Sequence, residues 1–141
     1  MPYDAAMISL RRANSTDLDF LTEFTLAPSG PKLEALLERS EVQIVTADHT
    51  PVGFLSFSIL WGTLPFLEFI EILVSQRGRK IGATSVRAWE QEMRGRGFDL
   101  VLVSTSADSN AQHFWRKMGY VDCGALTVRG KAAEVFLKRP I

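Results

Sequence analysis

Residues 66–89, FLEFIEILVSQRGRKIGATSVRAW, constrain this chain more than any other stretch. An apolar and aromatic run over 66–74 is broken only by Glu68 and Glu71. The basic, turn-forming segment Ser75-Gln76-Arg77-Gly78-Arg79-Lys80-Ile81-Gly82 follows it. From Gly82 onward Val86, Ala88, Trp89 and Met93 recur as candidate core contacts of a helix. The pattern predicts a strand, a Gly/Arg-rich loop and a helix. Such a unit is a ready anion site. The loop presents backbone N–H groups, and the helix adds the unpaired N–H groups of its first turn and the positive end of its dipole. A phosphate or pyrophosphate is the natural guest.

The rest of the composition narrows the class. A length of 141 residues suits one domain, over 1–141, with a real core. Hydrophobic residues at 46% and charged residues at 23% are the profile of a globular rather than a disordered chain. Lys+Arg and Asp+Glu both number 16, so the chain lacks the basic excess of a dedicated nucleic-acid binder, and no nucleic-acid partner is expected. A single cysteine, Cys123, rules out an intramolecular disulfide and reads as a small strand residue in a reducing cytosol. The first residues, Met1-Pro2-Tyr3-Asp4, open no secretory signal pattern, and a cytoplasmic location is expected.

The uncharged run over 52–67 is long enough to raise the question of a membrane span. Ser56, Ser58, Gly62, Thr63 and Pro65 interrupt it, and Glu68 and Glu71 stand in the apolar stretch that continues it. Charges there are costly in lipid. Two buried strands joined at Trp61-Gly62-Thr63-Leu64-Pro65 explain the run better, and no membrane partner is expected.

Along the chain, residues 7–12 predict a short strand. Asn14-Ser15-Thr16-Asp17 offers several N-caps to a helix carrying Leu18, Leu21 and Phe24. Ala27-Pro28-Ser29-Gly30-Pro31 breaks that helix, and a second over 32–39 shows Leu33, Leu36 and Leu37 on one face. Strands over 42–47 and 52–60 flank the turn Asp48-His49-Thr50-Pro51. After residues 66–89 the helix ends in Arg94-Gly95-Arg96-Gly97, a C-cap with cations at the negative dipole end. A buried strand over 100–104, a polar loop over 105–110 and a short helix over 111–118 follow. That helix presents Ala111, Phe114, Trp115 and Met118 and stops at Gly119. Strands over 120–128 and 133–138 make a last hairpin around Arg129-Gly130-Lys131. The order β-α-α-β-β-β-α-β-α-β-β predicts an α+β (mixed α/β) domain with a largely antiparallel twisted sheet flanked by helices. Its parallel crossovers pass through the two later helices.

Two units thus stand in a fixed order: strand, basic Gly loop and helix, then strand, polar loop and a helix ending in Phe114-Trp115-Arg116-Lys117-Met118-Gly119-Tyr120. Together they resemble the GNAT (GCN5-related N-acetyltransferase) superfamily over nearly the whole chain. The loop Arg77-Gly78-Arg79-Lys80-Ile81-Gly82 is similar to the family's acyl-CoA signature, Arg/Gln-x-x-Gly-x-Gly/Ala. Residues 108–120 are similar to its Asn-x-x-Ala-x-x-Phe/Leu-Tyr-x-Lys-x-Gly-Phe run, and Arg12-Ala13 with Asp17-Leu18 fits the opening strand and helix.

The resemblance implies an acetyl-CoA-dependent N-acyltransferase that moves an acetyl group to an amine acceptor directly, in a ternary complex. It implies that the strand over 66–74 lies along the pantetheine arm, with main-chain groups around Ile70 and Ile72 polarising the thioester carbonyl. Arg77, Gly78, Arg79, Lys80, Ile81 and Gly82 would hold the pyrophosphate, and Asp108, Asn110 and Trp115 would complete the cofactor site. The family's first two helices and hairpin loops frame the acceptor pocket, which here means residues 25–37, 61–65 and 129–131. Their mostly apolar or neutral character disfavours a polycationic acceptor. The acceptor's identity stays open, and nothing decides between a monomer and a homodimer.

The departures from the family pattern are specific. Lys80 stands at the inner glycine, where a left-handed backbone would cost roughly 1–2 kcal/mol. Asp108 stands at the asparagine, with Asn110 close by. Trp115 stands where a tyrosine often protonates the departing thiolate, and an indole cannot be that acid. Val103 stands where some members carry a glutamate base. Glu68 and Glu71 remain as candidates for deprotonating the amine. Three residues apart on a strand, they face opposite sides, so at most one enters a given site. Ser109 is a candidate hydroxyl at the thiolate. A non-catalytic acyl-CoA-binding or regulatory module is the other reading that Trp115 leaves open. Tyr120 and Trp115 are read first as packing residues, His113 as surface, His49 as a turn residue, and no metal site is expected.

Overall fold

The computed structural model describes residues 6–24, 30–39 and 41–141. Residues 1–5, residues 25–29 of the acceptor frame, and the side chain of Leu36 lie outside the described residues. The elements run β1 (Ile8–Arg12), α1 (Leu18–Leu21), α2 (Pro31–Arg39), β2 (Val42–Ala47), β3 (Thr50–Leu60), β4 (Leu64–Ile72), α3 (Ile81–Gly95), β5 (Leu100–Ser106), α4 (Ala111–Lys117), β6 (Val121–Leu126) and β7 (Glu134–Pro140). This is the expected α+β order. The strands hydrogen-bond in the sequence β1-β2-β3-β4-β5-β7-β6. β4 and β5, joined through α3, pair in parallel at Phe66↔Leu102 and Leu67↔Val103. The crossover through α4 skips a place, because β7 lies between β5 and β6 and pairs antiparallel with both. Strand β5 extends to Ser106, so Thr105 and Ser106 belong to the sheet rather than to the polar loop. The uncharged run over 52–67 forms the body of β3 and the start of β4, and no described helix is long and apolar enough to cross a membrane.

The backbone contacts divide the chain into two compact units, Met1–Phe57 with Phe69–Trp89, and Ser58–Glu68 with Glu90–Ile141. In the first unit, Asn14 starts the helical segment. Its side chain accepts from the Thr16 N–H at 2.9 Å, and Asp17 accepts from the Asn14 N–H at 2.9 Å, a reciprocal cap. The helix and the turn after it deliver Leu21 and Phe24 onto Val42, Ile44 and Phe54, with Leu33 from α2. The other parity of β2, Val45 and Ala47, packs with Val52, Ile72 and Ile81; Val52 is the extra β3 residue where the register shifts between Val45 and Thr46. Every β2 residue is therefore buried. Asp48 and His49 turn β2 into β3 with φ of +50° and +70°, the two left-handed positions of a type I′ hairpin.

In the second unit, both helix ends use one device. Gly97 (φ +96°) and Gly119 (φ +95°) take the left-handed cap position. Phe98 N–H donates to the Met93 carbonyl, and Tyr120 N–H to the Trp115 carbonyl, each at 3.1 Å. These bonds satisfy carbonyls that the helix itself leaves open. Trp115, Met118 and Tyr120 join Met93, Val101, Val103 and Leu137 among the buried residues. Ala111, expected on the apolar face of α4, is exposed at the first helical position. Residues 121–130 are all exposed, Cys123 among them.

Candidate functional site

Strand β4 ends where the Leu73 N–H donates to the Val52 carbonyl at 2.8 Å. A 3-10 turn over Val74–Gln76 follows, and Arg77 leaves it in extended backbone. Gly78 (φ +80°) and Lys80 (φ +62°) then take left-handed conformations and bring the chain onto the axis of α3. Glycine does this freely. Lys80 does it against its Cβ, so the conditional cost foreseen for this position is real.

The Thr84 N–H donates to the Lys80 carbonyl at 3.0 Å, and the Thr84 hydroxyl donates to the same oxygen at 2.9 Å. The N–H groups of Ile81, Gly82 and Ala83 therefore precede the first closed helical turn and point out of it. The first turn carries no acidic residue, and Arg77, Arg79 and Lys80 are exposed around it. Donors, dipole and cations converge there, which is what an anion requires.

The three cations are not equivalent. The Arg77 Nε donates to the Ile72 carbonyl at 3.0 Å, and its Nη2 lies 3.8 Å from Glu71 Oε2. The Arg79 Nη1 donates to Gln76 Oε1 at 2.7 Å. Gly82 lies in ordinary helical backbone, and a Cβ built there would meet only Ile72 Cγ1, at 4.0 Å. The fold itself thus gives no reason for glycine at 82.

Ile72 is buried and Ile70 half-buried at the end of β4. Glu71 is half-buried beside Arg77 in the first unit, whereas Glu68 is half-buried in the second. Gly53 on β3 was not singled out from the sequence. A Cβ there would lie 2.6 Å from the Glu71 carbonyl oxygen and 2.7 Å from Ile72 Cδ1. A glycine inside an otherwise apolar strand is the signal that could have marked it.

In the second unit, the Ser106 hydroxyl donates to Asp108 Oδ1 at 2.6 Å. The Ser109 hydroxyl oxygen accepts from the Ala111 N–H at 3.1 Å, holding the start of α4. Asn110 is exposed and makes no side-chain cap bond. Trp115 is buried, with Phe114 and Tyr120 edge-on to it at centroid distances of 4.9 and 5.1 Å. Val103 is fully buried on β5.

The Tyr120 hydroxyl donates to Glu90 Oε2 at 2.6 Å, and the Arg139 Nη1 donates to Glu90 Oε1 at 2.9 Å. This buried carboxylate between a phenol and a guanidinium was missed, because its members lie 30 and 49 residues apart. Among the described residues, no cluster of three or more His, Cys, Asp or Glu side chains is placed to hold a metal.

Residues 10–120 match the sequence pattern of the acetyltransferase (GNAT) family. No curated protein matches the chain. Among solved structures, Ard1 from Thermoplasma volcanium superposes with a TM-score of 0.78 at 17% identity, covering 95% of this chain and 97% of that one. Ribosomal-protein-alanine N-acetyltransferase from Brucella melitensis gives 0.74 at 20% identity, over 94% and 99%. Arabidopsis thaliana Naa50, in complex with the bisubstrate analogue CoA-Ac-MVNAL, gives 0.74 at 13% identity, over 95% and 99%.

Proposed function

The chain belongs to the acetyltransferase (GNAT) family, and on that premise we propose that it moves the acetyl group of acetyl-CoA onto an amine by direct transfer in a ternary complex. The observation that carries this is the loop of residues 77–82. It has the anion-binding geometry, and it keeps a glycine at 82 that packing does not require. A close-approaching pyrophosphate favours a small residue there, the glycine or alanine of the family signature, because a larger side chain on the first helical turn would crowd the outward N–H groups of Ile81 and Ala83.

In this reading the amine nitrogen attacks the thioester carbonyl carbon. A C–N bond forms, the tetrahedral intermediate collapses, and the C–S bond breaks. Main-chain groups around Ile70 and Ile72 stabilise the oxyanion. The amine gives up a proton to Glu68 or Glu71, directly or through water. The CoA thiolate takes a proton from water or from the Ser109 hydroxyl. Asp108, Asn110 and Trp115 flank the cofactor.

The structural neighbours named for peptide and ribosomal-protein acceptors make peptide α-amines the first acceptor class to test. The experiment incubates the chain with acetyl-CoA and a panel of peptides and small amines, and reads acetylated product by mass spectrometry. Glu68→Gln and Glu71→Gln are then compared across pH. One of the two should flatten the basic-form requirement of the rate while the other leaves it. If both leave the pH–rate profile untouched, neither residue is the base.

A second reading, a non-catalytic acyl-CoA-binding module, draws on one observation. Trp115 is core-packed at the position of the family's acid, and the Tyr120 hydroxyl is committed to buried Glu90. The same panel separates the readings. Acetyl-CoA binding without product from any amine favours the module.

A further inference from the structure

We propose that Arg77 is a positioning residue whose guanidinium clamps the loop to the end of β4, so that it shapes the phosphate cradle without itself being an anion ligand. The inference rests on reading residues 77–82 as the CoA pyrophosphate site. Its basis is a pair of contacts that engage the guanidinium at the end of β4. The Nε donates to the carbonyl of Ile72, the last residue of β4, at 3.0 Å. The Nη2 lies 3.8 Å from Glu71 Oε2, whose side chain is 15% exposed against 54% for Arg77. One edge of the planar fork thus faces the strand that the chain has just left.

The main chain is held at the same place. The Arg77 N–H donates to the Val74 carbonyl at 3.2 Å, and the Gln76 N–H to the Leu73 carbonyl at 2.8 Å. Residue 77 is fixed at φ −73° and ψ 161°, and this sets the direction in which Gly78 and then left-handed Lys80 follow. A non-glycine residue keeps such a conformation only where its surroundings over-determine it. The clamp five residues back supplies that constraint. A lysine at 77 would keep the charge but not the fork, since an ammonium is a point donor on a flexible stem.

The test uses R77K and R79Q in the full chain, with three readouts: amide hydrogen exchange without ligand, CoA affinity by calorimetry, and the melting midpoint. In R77K the amides of Gln76, residue 77 and Thr84 should exchange about tenfold faster. CoA affinity should fall about tenfold despite the retained charge. The midpoint should stay at that of the wild type, because the contact is local. R79Q should lower affinity in a salt-dependent way and leave exchange at residue 77 and Thr84 unchanged.

Unchanged exchange in R77K overturns the clamp, whether affinity holds or falls. Faster exchange with unchanged affinity overturns its role in the cradle. If R77K lowers the midpoint, R77Q is compared at a temperature where both stay folded. Exchange confined to residues 76–84 supports the clamp there, and exchange spread over the sheet overturns it. If the wild-type chain binds no CoA, the pyrophosphate reading falls, while the exchange data still decide whether the clamp exists.

Discussion

Gly53 and Glu71 stand so close that a Cβ on the first would lie 2.6 Å from the carbonyl oxygen of the second. The obstacle is backbone at the end of β4, which cannot swing aside as a side chain can. The Ile72 Cα is a further 3.2 Å neighbour of that Cβ. Gly53→Ala should therefore destabilise the chain by about 1–3 kcal/mol by forcing the two strands apart. Urea unfolding checks this, and a midpoint equal to that of the wild type would show that the strands yield freely.

Lys80 holds φ at +62° with an exposed side chain. Lys80→Gly removes the Cβ conflict, offset in part by the greater freedom of glycine in the unfolded chain. A net gain of about 0.5–1 kcal/mol is expected. The same change removes a cation from the anion site, so CoA affinity should fall, most clearly at low salt. Stability and affinity should move in opposite directions, as thermal melting and calorimetry on one sample can show.

Gly82→Ala and Gly82→Val together separate a small residue demanded by the fold from one demanded by the ligand. The added Cβ meets only Ile72 Cγ1 at 4.0 Å, and alanine is the better helix former by up to about 1 kcal/mol. The fold should be as stable or more so, with CoA affinity close to that of the wild type, as the Gly/Ala alternative of the family signature implies. Gly82→Val should weaken CoA binding by crowding the loop against the pyrophosphate. Unchanged CoA affinity with an intact fold in that variant would contradict the proposed site.

Asp17 lies 2.7 and 2.9 Å from the Arg11 guanidinium and accepts from the Asn14 N–H. The hydrogen bonds from Arg11, with the backbone bond and the Coulomb attraction, hold its carboxyl below the usual carboxylate range, against the opposing effect of burial. A carboxylate whose pKa is lower in the folded state stabilises the fold above its unfolded pKa. That contribution is lost as pH falls through the folded value. Asp17→Asn should cost about 1–2 kcal/mol at neutral pH and less in acid. Unfolding free energies from pH 7 downward check the convergence of the two curves.

The fold was legible where the signal is local. The strand, basic loop and helix of residues 66–89 follow from periodicity. The α3 and α4 ends follow from glycine after a basic run, because a left-handed cap is a demand on one residue. Residues 14–17 offered several caps, and the structure selects Asn14, with Asp17 reciprocating. Tyr120, Glu90 and Arg139 were not, since a network spanning β7, α3 and the residue before β6 leaves no mark on any one segment. Gly53 was overlooked because its reason is the nearness of another strand. At Lys80 the sequence posed the alternative and only the backbone angle could answer it. The parts of the candidate site made of main-chain N–H groups were readable from a glycine pattern. The side-chain contacts were not, and Arg77 shows why: its charge suggested an anion partner, while its guanidinium is bonded to the strand behind it.

The most direct test of acetyl transfer is the release of free CoA thiol from acetyl-CoA, followed with and without an amine panel led by peptide N-termini. An N-acetyltransferase gives thiol release that rises with at least one amine, saturates, and matches acetylated product one for one. Saturable acetyl-CoA binding with no amine raising thiol release above the uncatalysed rate would contradict the enzyme and leave the binding module in its place.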